Sequence, residues 1–378
     1  MTAITTIETY NQTHFKVDLS KAPIDQCEEL REHLGLIVAE TMQSIAQETA
    51  EVSQKYEQDT QKLKTAIWYP SNFAKACKKT KNFPLLEFMQ KKGHLKSGYL
   101  SNKHFEIVYS SGRRLHWTWI LKEGSLPSEA LLAARKGLSI LDCGTVCTIA
   151  HYTALLGTLG AEKFNRLFSH AHGIPLFIDY ADHSSQPMTY FVRFTDETRS
   201  HKKTQRNYRD IKCGQIVSFN NYVEYSQRHI NGMGSNYNIC CLSAKAGEQK
   251  FVGHGIPAQG LTEEEMCEFL AKIYNKPPEG VLRASSEKEQ DSLKNLDDLV
   301  KKEHHKPIMK SDVPGLDVES YQDFNINLIL ALIKLPLEKT SMEYVKRHEE
   351  AKASRERVDL KESFARLLIQ TQGCLNYS

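Results

Sequence analysis

The chain has 378 residues and a formal net charge of +3, so it is long enough for more than one core and too weakly charged to point to nucleic acid or a membrane surface as a general partner. Hydrophobic residues make up 40% and charged residues 25%, the balance of a globular protein in water. Nine cysteines, an odd number with no Cys-x-x-Cys pair, fit reduced thiols in a cytoplasmic compartment and argue against a disulfide scaffold or a structural zinc site.

The first eighteen residues lack the charged-then-apolar pattern of a signal peptide. From Ile24 to Lys64 the spacing predicts one long helix or a helical hairpin, with Leu30, Leu34, Ile37, Val38, Met42 and Ile45 on one face. Pro70, Ser71 and Asn72 punctuate its end, with Ser71 or Asn72 placed to cap a second helix from Phe73 to Lys91, interrupted at Pro84. Phe105–Tyr109 and Leu115–Ile120, rich in β-branched and aromatic residues around Gly112, predict a hairpin. Pro127 opens a short helix that Gly137 closes. A helix then starts behind Asp142 and Cys143 and ends between Gly157 and Gly160, with another turn or two around Phe164 and Phe168. Gly214–Phe219, Asn238–Leu242 and Lys250–Val252 read as strands, and Thr262 to Glu265 as a capped helix start. Pro277 and Pro278 end this unit. A polar stretch and a helical C-terminal segment from about Val318 follow, whose longest apolar run, Leu328–Ile333, is far short of the roughly 20 residues of a membrane helix. No internal repeat is evident. The resulting division is a helical N-terminal region (1–95), a catalytic domain (96–280), a polar linker (281–315) and a helical C-terminal region (316–378).

Cys143 is the residue with chemistry. A thiol reacts as thiolate, and the first turn of a helix favours negative charge through its free amides and its dipole. Cys143 falls at such a position, Gly144 leaves room for a substrate, and a histidine from a downstream strand would complete the pair. The plain alternative is a small buried hydrophobe, a role that suits Cys147, one turn along, better still. The paired histidines His170 and His172, with His183, read as a solvated loop without a carboxylate cluster for a metal, and His151 as structural. Trp117 and Trp119 share one face of their strand; they belong either to the core or to the wall of a substrate cleft.

The stretch Asp142–Leu156, followed by Glu162–Phe168, resembles the active-site helix of the bacterial spore-coat transglutaminases. Cys213–Asn221 and the run from Asn238 to Ile256, which ends in Gly253, His254, Gly255 and Ile256, are similar to later blocks of that family in the same order. The resemblance spans about residues 95–275. It implies an α+β, papain-like core, with the nucleophile helix packed on an antiparallel sheet, and no cofactor or metal; the helical N- and C-terminal regions read from the pattern have no counterpart in it. Cys143 would be the nucleophile, His254 its partner, and Asp142 the acidic residue that precedes the nucleophile. The family's catalytic glutamate has no counterpart, because Tyr237 stands there, while Asn238 matches the asparagine that follows. Tyr237 is therefore expected to point into the cleft, with Asn238, Trp117 and Trp119 among the substrate-binding residues.

The expected activity is acyl transfer from a protein glutamine to an amine or to water, by crosslinking or deamidation. The alternatives are hydrolysis of a peptide, isopeptide or amide bond, or a scaffold that has lost catalysis with the missing carboxylate. The expected partners are a protein substrate and an amine or water acceptor, with no nucleic acid and no membrane. The architecture suits a cytoplasmic protein, or an effector delivered into another cell without a cleaved signal peptide.

Overall fold

The computed structural model describes residues 15–54, 63, 65–92, 98–100, 103–111, 115–178, 187–194, 211–229, 234–243, 249–276, 306–346 and 349–350. In chain order these form α1 (Pro23–Gln54), β1 (Ile67–Trp68), α2 (Pro70–Lys79), α3 (Phe83–Lys91), β2 (Tyr99–Leu100), β3 (Phe105–Ser111), β4 (Leu115–Leu121), α4 (Pro127–Lys136), β5 (Ser139–Ile140) and α5 (Cys143–Leu167). Then come β6 (Phe177–Ile178), α6 (Met188–Phe191), β7 (Val192–Phe194), β8 (Ile216–Asn220), α7 (Tyr225–Arg228), β9 (Asn236–Cys241), β10 (Phe251–Gly253), α8 (Glu263–Asn275), β11 (Gly315–Phe324) and α9 (Ile326–Lys334).

The architecture is mixed helix and sheet. Its centre is a five-stranded sheet in the order β10-β9-β8-β11-β7, antiparallel at every pairing. Helix α5 lies against α1 and meets β9 near its own N-terminus. The predicted apolar face of α1 is buried throughout, and Leu30, Leu34 and Val38 are fully enclosed. Each such side chain contributes about 1.5–3 kcal/mol relative to exposure. A close backbone approach fixes where α1 sits. A Cβ on Gly35 would stand 2.3 Å from the Cys213 carbonyl oxygen, and Gly214 opposite it has φ +79. The buried Arg135 of α4 ties the polar half of α1, donating to Ser44 at 3.2 Å and Glu48 at 3.3 Å.

Several expectations need correction. Helix α2 starts at Pro70 with Tyr69 as its N-cap residue and no side-chain cap, so Ser71 and Asn72 lie inside the helix. The break comes before Pro84, where Lys81 takes a left-handed φ of 56 and splits the segment into α2 and α3. The first part of α5 does end at Gly160, which is non-helical (φ 76, ψ 160), and the turns around Phe164 continue as a second stretch to Leu167, as expected. The C-terminal segment does not open as a helix. Gly315–Phe324 is a strand inserted between β8 and β7, with a register shift between Asp317 and Tyr321. The hairpin, the short helix after Pro127 and the capping box of Thr262 and Glu265 form as expected. Residues 281–305 of the linker and residues 351–378 lie outside the described residues, whereas the linker's end is ordered against α8, where Asn275 bonds both the N–H and the carbonyl of Ile308. Among the described residues no helix is long and apolar enough to cross a membrane.

Candidate active site

The extended run into Cys143 is short and firmly held. Strand β5 pairs in parallel with β1, Ser139 opposite Ile67 and Ile140 opposite Trp68, and Leu141 N–H donates to the Trp68 carbonyl at 3.0 Å. The chain then turns into α5 through Asp142. One carboxylate oxygen accepts from Thr145 N–H and the other from Thr145 Oγ1, both at 2.9 Å. This is an N-cap, the reason a helix can start here. It also engages both oxygens of the carboxylate that the resemblance offered as catalytic, so Asp142 caps the helix rather than standing free as a base.

Cys143 is half-buried at the first helical position. Its sulfur accepts a hydrogen bond from Asn238 Nδ2 at 3.3 Å. The expected depression of its pKa does not follow from the helix terminus. Burial raises the thiol pKa, Asn238 opposes this through its backbone N–H and its amide, and the Asp142 charge raises it further. The cap explains the difference, since Asp142 takes up the terminal amides and sets a carboxylate beside the sulfur. Cys143 rests as a thiol.

His254 follows β10 directly. Gly253 pairs with Ile239, which sets His254 beside Asn238, the residue on the sulfur. Gly253 is needed for this approach, because a Cβ there would stand 2.9 Å from the Asn238 carbonyl oxygen. His254 is 3% exposed, and neither ring nitrogen makes a well-aligned hydrogen bond among the described residues, although the Trp68 carbonyl lies near the ring. Burial pushes its pKa down to about 4, against a weaker pull from the Trp68 carbonyl. The imidazole is therefore neutral and not hydrogen-bonded to the Cys143 sulfur. As the chain rests the two residues do not form a thiolate–imidazolium pair.

The strand register decides between Tyr237 and Asn238. Successive residues of β9 face opposite sides, and Asn238 takes the side of Cys143. Tyr237 instead packs on Phe269 of α8, with centroids 6.2 Å apart, within the second core cluster. Its phenol stays close enough for Cys143 to contribute to its raised pKa, behind burial and Tyr225. The place beside the sulfur that was assigned to Tyr237 belongs to Asn238. Trp119 is 4% exposed and part of the main core, against Gly98; it is a core residue and not a cleft wall. The Trp117 side chain lies outside the described residues.

Other candidates find structural duties. Cys147 is fully buried. His151 sits edge-on to Phe324, its pKa pushed down to about 3 by burial. His229 bonds the Tyr274 carbonyl at 2.9 Å, and His170 bonds the Leu121 carbonyl. His183 lies outside the described residues. No group of three or more histidine, cysteine or acidic residues among the described residues could hold a metal ion.

Sequence reasoning missed Tyr69, whose ring meets His254 edge-on at 5.4 Å between centroids. The Tyr69-Pro70 step was the available signal, because a residue before proline is held extended and can continue a strand.

No family model matches the chain, and no curated protein matches it. Among solved structures it is similar to a transglutaminase from Geobacillus stearothermophilus (without C-terminal extension), at 16% identity and a TM-score of 0.38, over 80% of this chain and 99% of that chain. An overlap of that size carries neither fold nor chemistry across.

Proposed function

We propose that the chain is a cysteine acyltransferase of the transglutaminase type, acting on the side-chain amide of a protein glutamine through a thioester on Cys143. The observation that carries this is the side-chain amide of Asn238 on the sulfur of a half-buried cysteine at a helix start, with a neutral buried histidine next along the sheet. The sequence resemblance over about residues 95–275 supplies the glutamine donor. A papain-like core, with the nucleophile helix beginning against the sheet that carries its partners, belongs to the same proposal.

The resting pair is thiol and neutral imidazole, so the thiol must be deprotonated as it attacks. With a glutamine carboxamide against the sulfur, His254 closes on the thiol and takes its proton. The sulfur bonds to the carboxamide carbon, and the imidazolium returns the proton to the leaving nitrogen, which departs as ammonia. Asn238 stabilises the sulfur while it carries charge, and hydrogen bonds to charged groups are the strong ones. The imidazole then deprotonates a primary amine, giving a crosslink, or water, giving a glutamate. Asp142 holds the helix start and tempers thiol acidity.

Incubation with a glutamine-rich protein and a primary alkylamine, read by mass spectrometry, tests the proposal. Amine incorporation supports transfer, and a gain of about one mass unit per site supports hydrolysis at the side-chain amide. Fragmentation of the backbone would instead make the chain a peptidase. An unchanged substrate would leave a scaffold, the outcome that the absent carboxylate at Tyr237 favours.

A further inference from the structure

The segment that leads into α2 lies outside the stretch carrying the sequence resemblance, yet it forms a wall of the site. Strand β1 runs beside β5 with Trp68 opposite Ile140, so the next residue, Tyr69, lies alongside the Leu141–Asp142 step that delivers Cys143. Its ring meets the His254 imidazole with centroids 5.4 Å apart and planes at 71°. His254 follows Gly253, whose partner Ile239 comes directly after Asn238, and Asn238 reaches the sulfur at 3.3 Å. The Tyr69–His254 contact and the Asn238–Cys143 hydrogen bond are thus brought to the same end of the sheet.

We propose that Tyr69 is a positioning residue for His254, its ring shielding the imidazole from water and fixing the ring plane. This rests on the acyl-transfer role of Cys143. The ring acts, and not the hydroxyl, because neither nitrogen of His254 makes a well-aligned hydrogen bond among the described residues, whereas the ring contact is direct. Asn72 of α2 approaches the neighbouring Gly255, and β9 brings Asn238 to the Cys143 sulfur. The start of α5 brings Cys143 and the Asp142 carboxylate. From α1, Gln43 reaches Ala258 at 3.0 Å, while Glu40 acts on His33 and Cys213. The influences on the imidazole are burial, foremost, and the Trp68 carbonyl. Loss of the shield lets water solvate the imidazolium, so the titration midpoint must rise.

The test is the His254 titration by NMR in the full chain carrying Cys143→Ala, the signal being assigned by its loss in His254→Asn. The expected midpoint with Tyr69 present is about 4. Tyr69→Leu and the longer Tyr69→Met should raise it by about one unit or more toward the reference value. Tyr69→Phe, which keeps the ring, should hold it within a few tenths of a unit. With Cys143 restored, the acid limb of kcat/KM should shift with the midpoint. An unmoved midpoint in the Leu and Met variants overturns the proposal, as does a shift in Tyr69→Phe equal to theirs. Because the titration needs no turnover, it decides the role of Tyr69 even if the protein fails to act on glutamine, and the two failures stay distinct.

Discussion

Asn238→Ala removes the amide that donates to the Cys143 sulfur at 3.3 Å. A hydrogen bond to a charged group is worth about 1.5–3 kcal/mol, and about 1.4 kcal/mol corresponds to one pKa unit or a tenfold rate. Alanine keeps the Asn238 backbone N–H, the other donor that holds the thiol pKa down, so the lower end of that range applies. The thiol pKa should rise by about one unit, and alkylation of Cys143 at pH 7 and acylation by a glutamine peptide should both slow about tenfold. Asn238 is only half-buried and pairs across the sheet with Ser218, so the fold should lose no more than about 1 kcal/mol. The assay is iodoacetamide alkylation against pH, followed at Cys143 by peptide mass mapping, with thermal unfolding alongside. An alkylation rate within about twofold of the parent protein, with unchanged unfolding, would make the amide a bystander and remove the basis for assigning Cys143 as nucleophile.

Asp142→Asn should leave stability within roughly 0.5 kcal/mol, because asparagine caps as well as aspartate, while alkylation at Cys143 becomes faster, since the charge that raises its pKa is gone; a slower reaction would contradict the assigned direction. Gly35→Ala should destabilise the whole fold by about 1–3 kcal/mol, because its Cβ would stand 2.3 Å from the Cys213 carbonyl oxygen; unchanged denaturant unfolding would show that α1 is not locked to the turn before β8. Tyr237→Glu should cost roughly 1–3 kcal/mol by burying an unpaired carboxyl against Phe269, with no gain in amine incorporation; a gain would return residue 237 to the place beside the sulfur.

The helix start at Asp142 and Cys143 was legible because capping is local chemistry written in adjacent residues. The apolar face of α1 was legible for a similar reason, since its period repeats over many turns. Strand β11 was misread because its alternation, Leu316 and Val318 against Asp317 and Glu319, is interrupted by the register shift before Tyr321. A two-residue strand such as β1 offers no period at all, which hid Tyr69 from the candidate site. The choice between Tyr237 and Asn238 turned on one residue of register (Tyr237 opposite Phe219, Asn238 opposite Ser218), and the Asn238 hydrogen bond marks the side on which the sulfur lies. The helix start alone implied an acidic thiol. It could not show that burial and the Asp142 carboxylate would outweigh the helix terminus.

The most direct measurement is the acyl-enzyme itself. The full chain is mixed with a short glutamine peptide, quenched in acid within seconds and weighed intact, then digested to locate the adduct. The account predicts a mass gain equal to the peptide less ammonia, confined to the Cys143 fragment, removed by hydroxylamine and absent in Cys143→Ala. An adduct on another cysteine, one that persists in Cys143→Ala, or none at any peptide concentration up to saturation would contradict it.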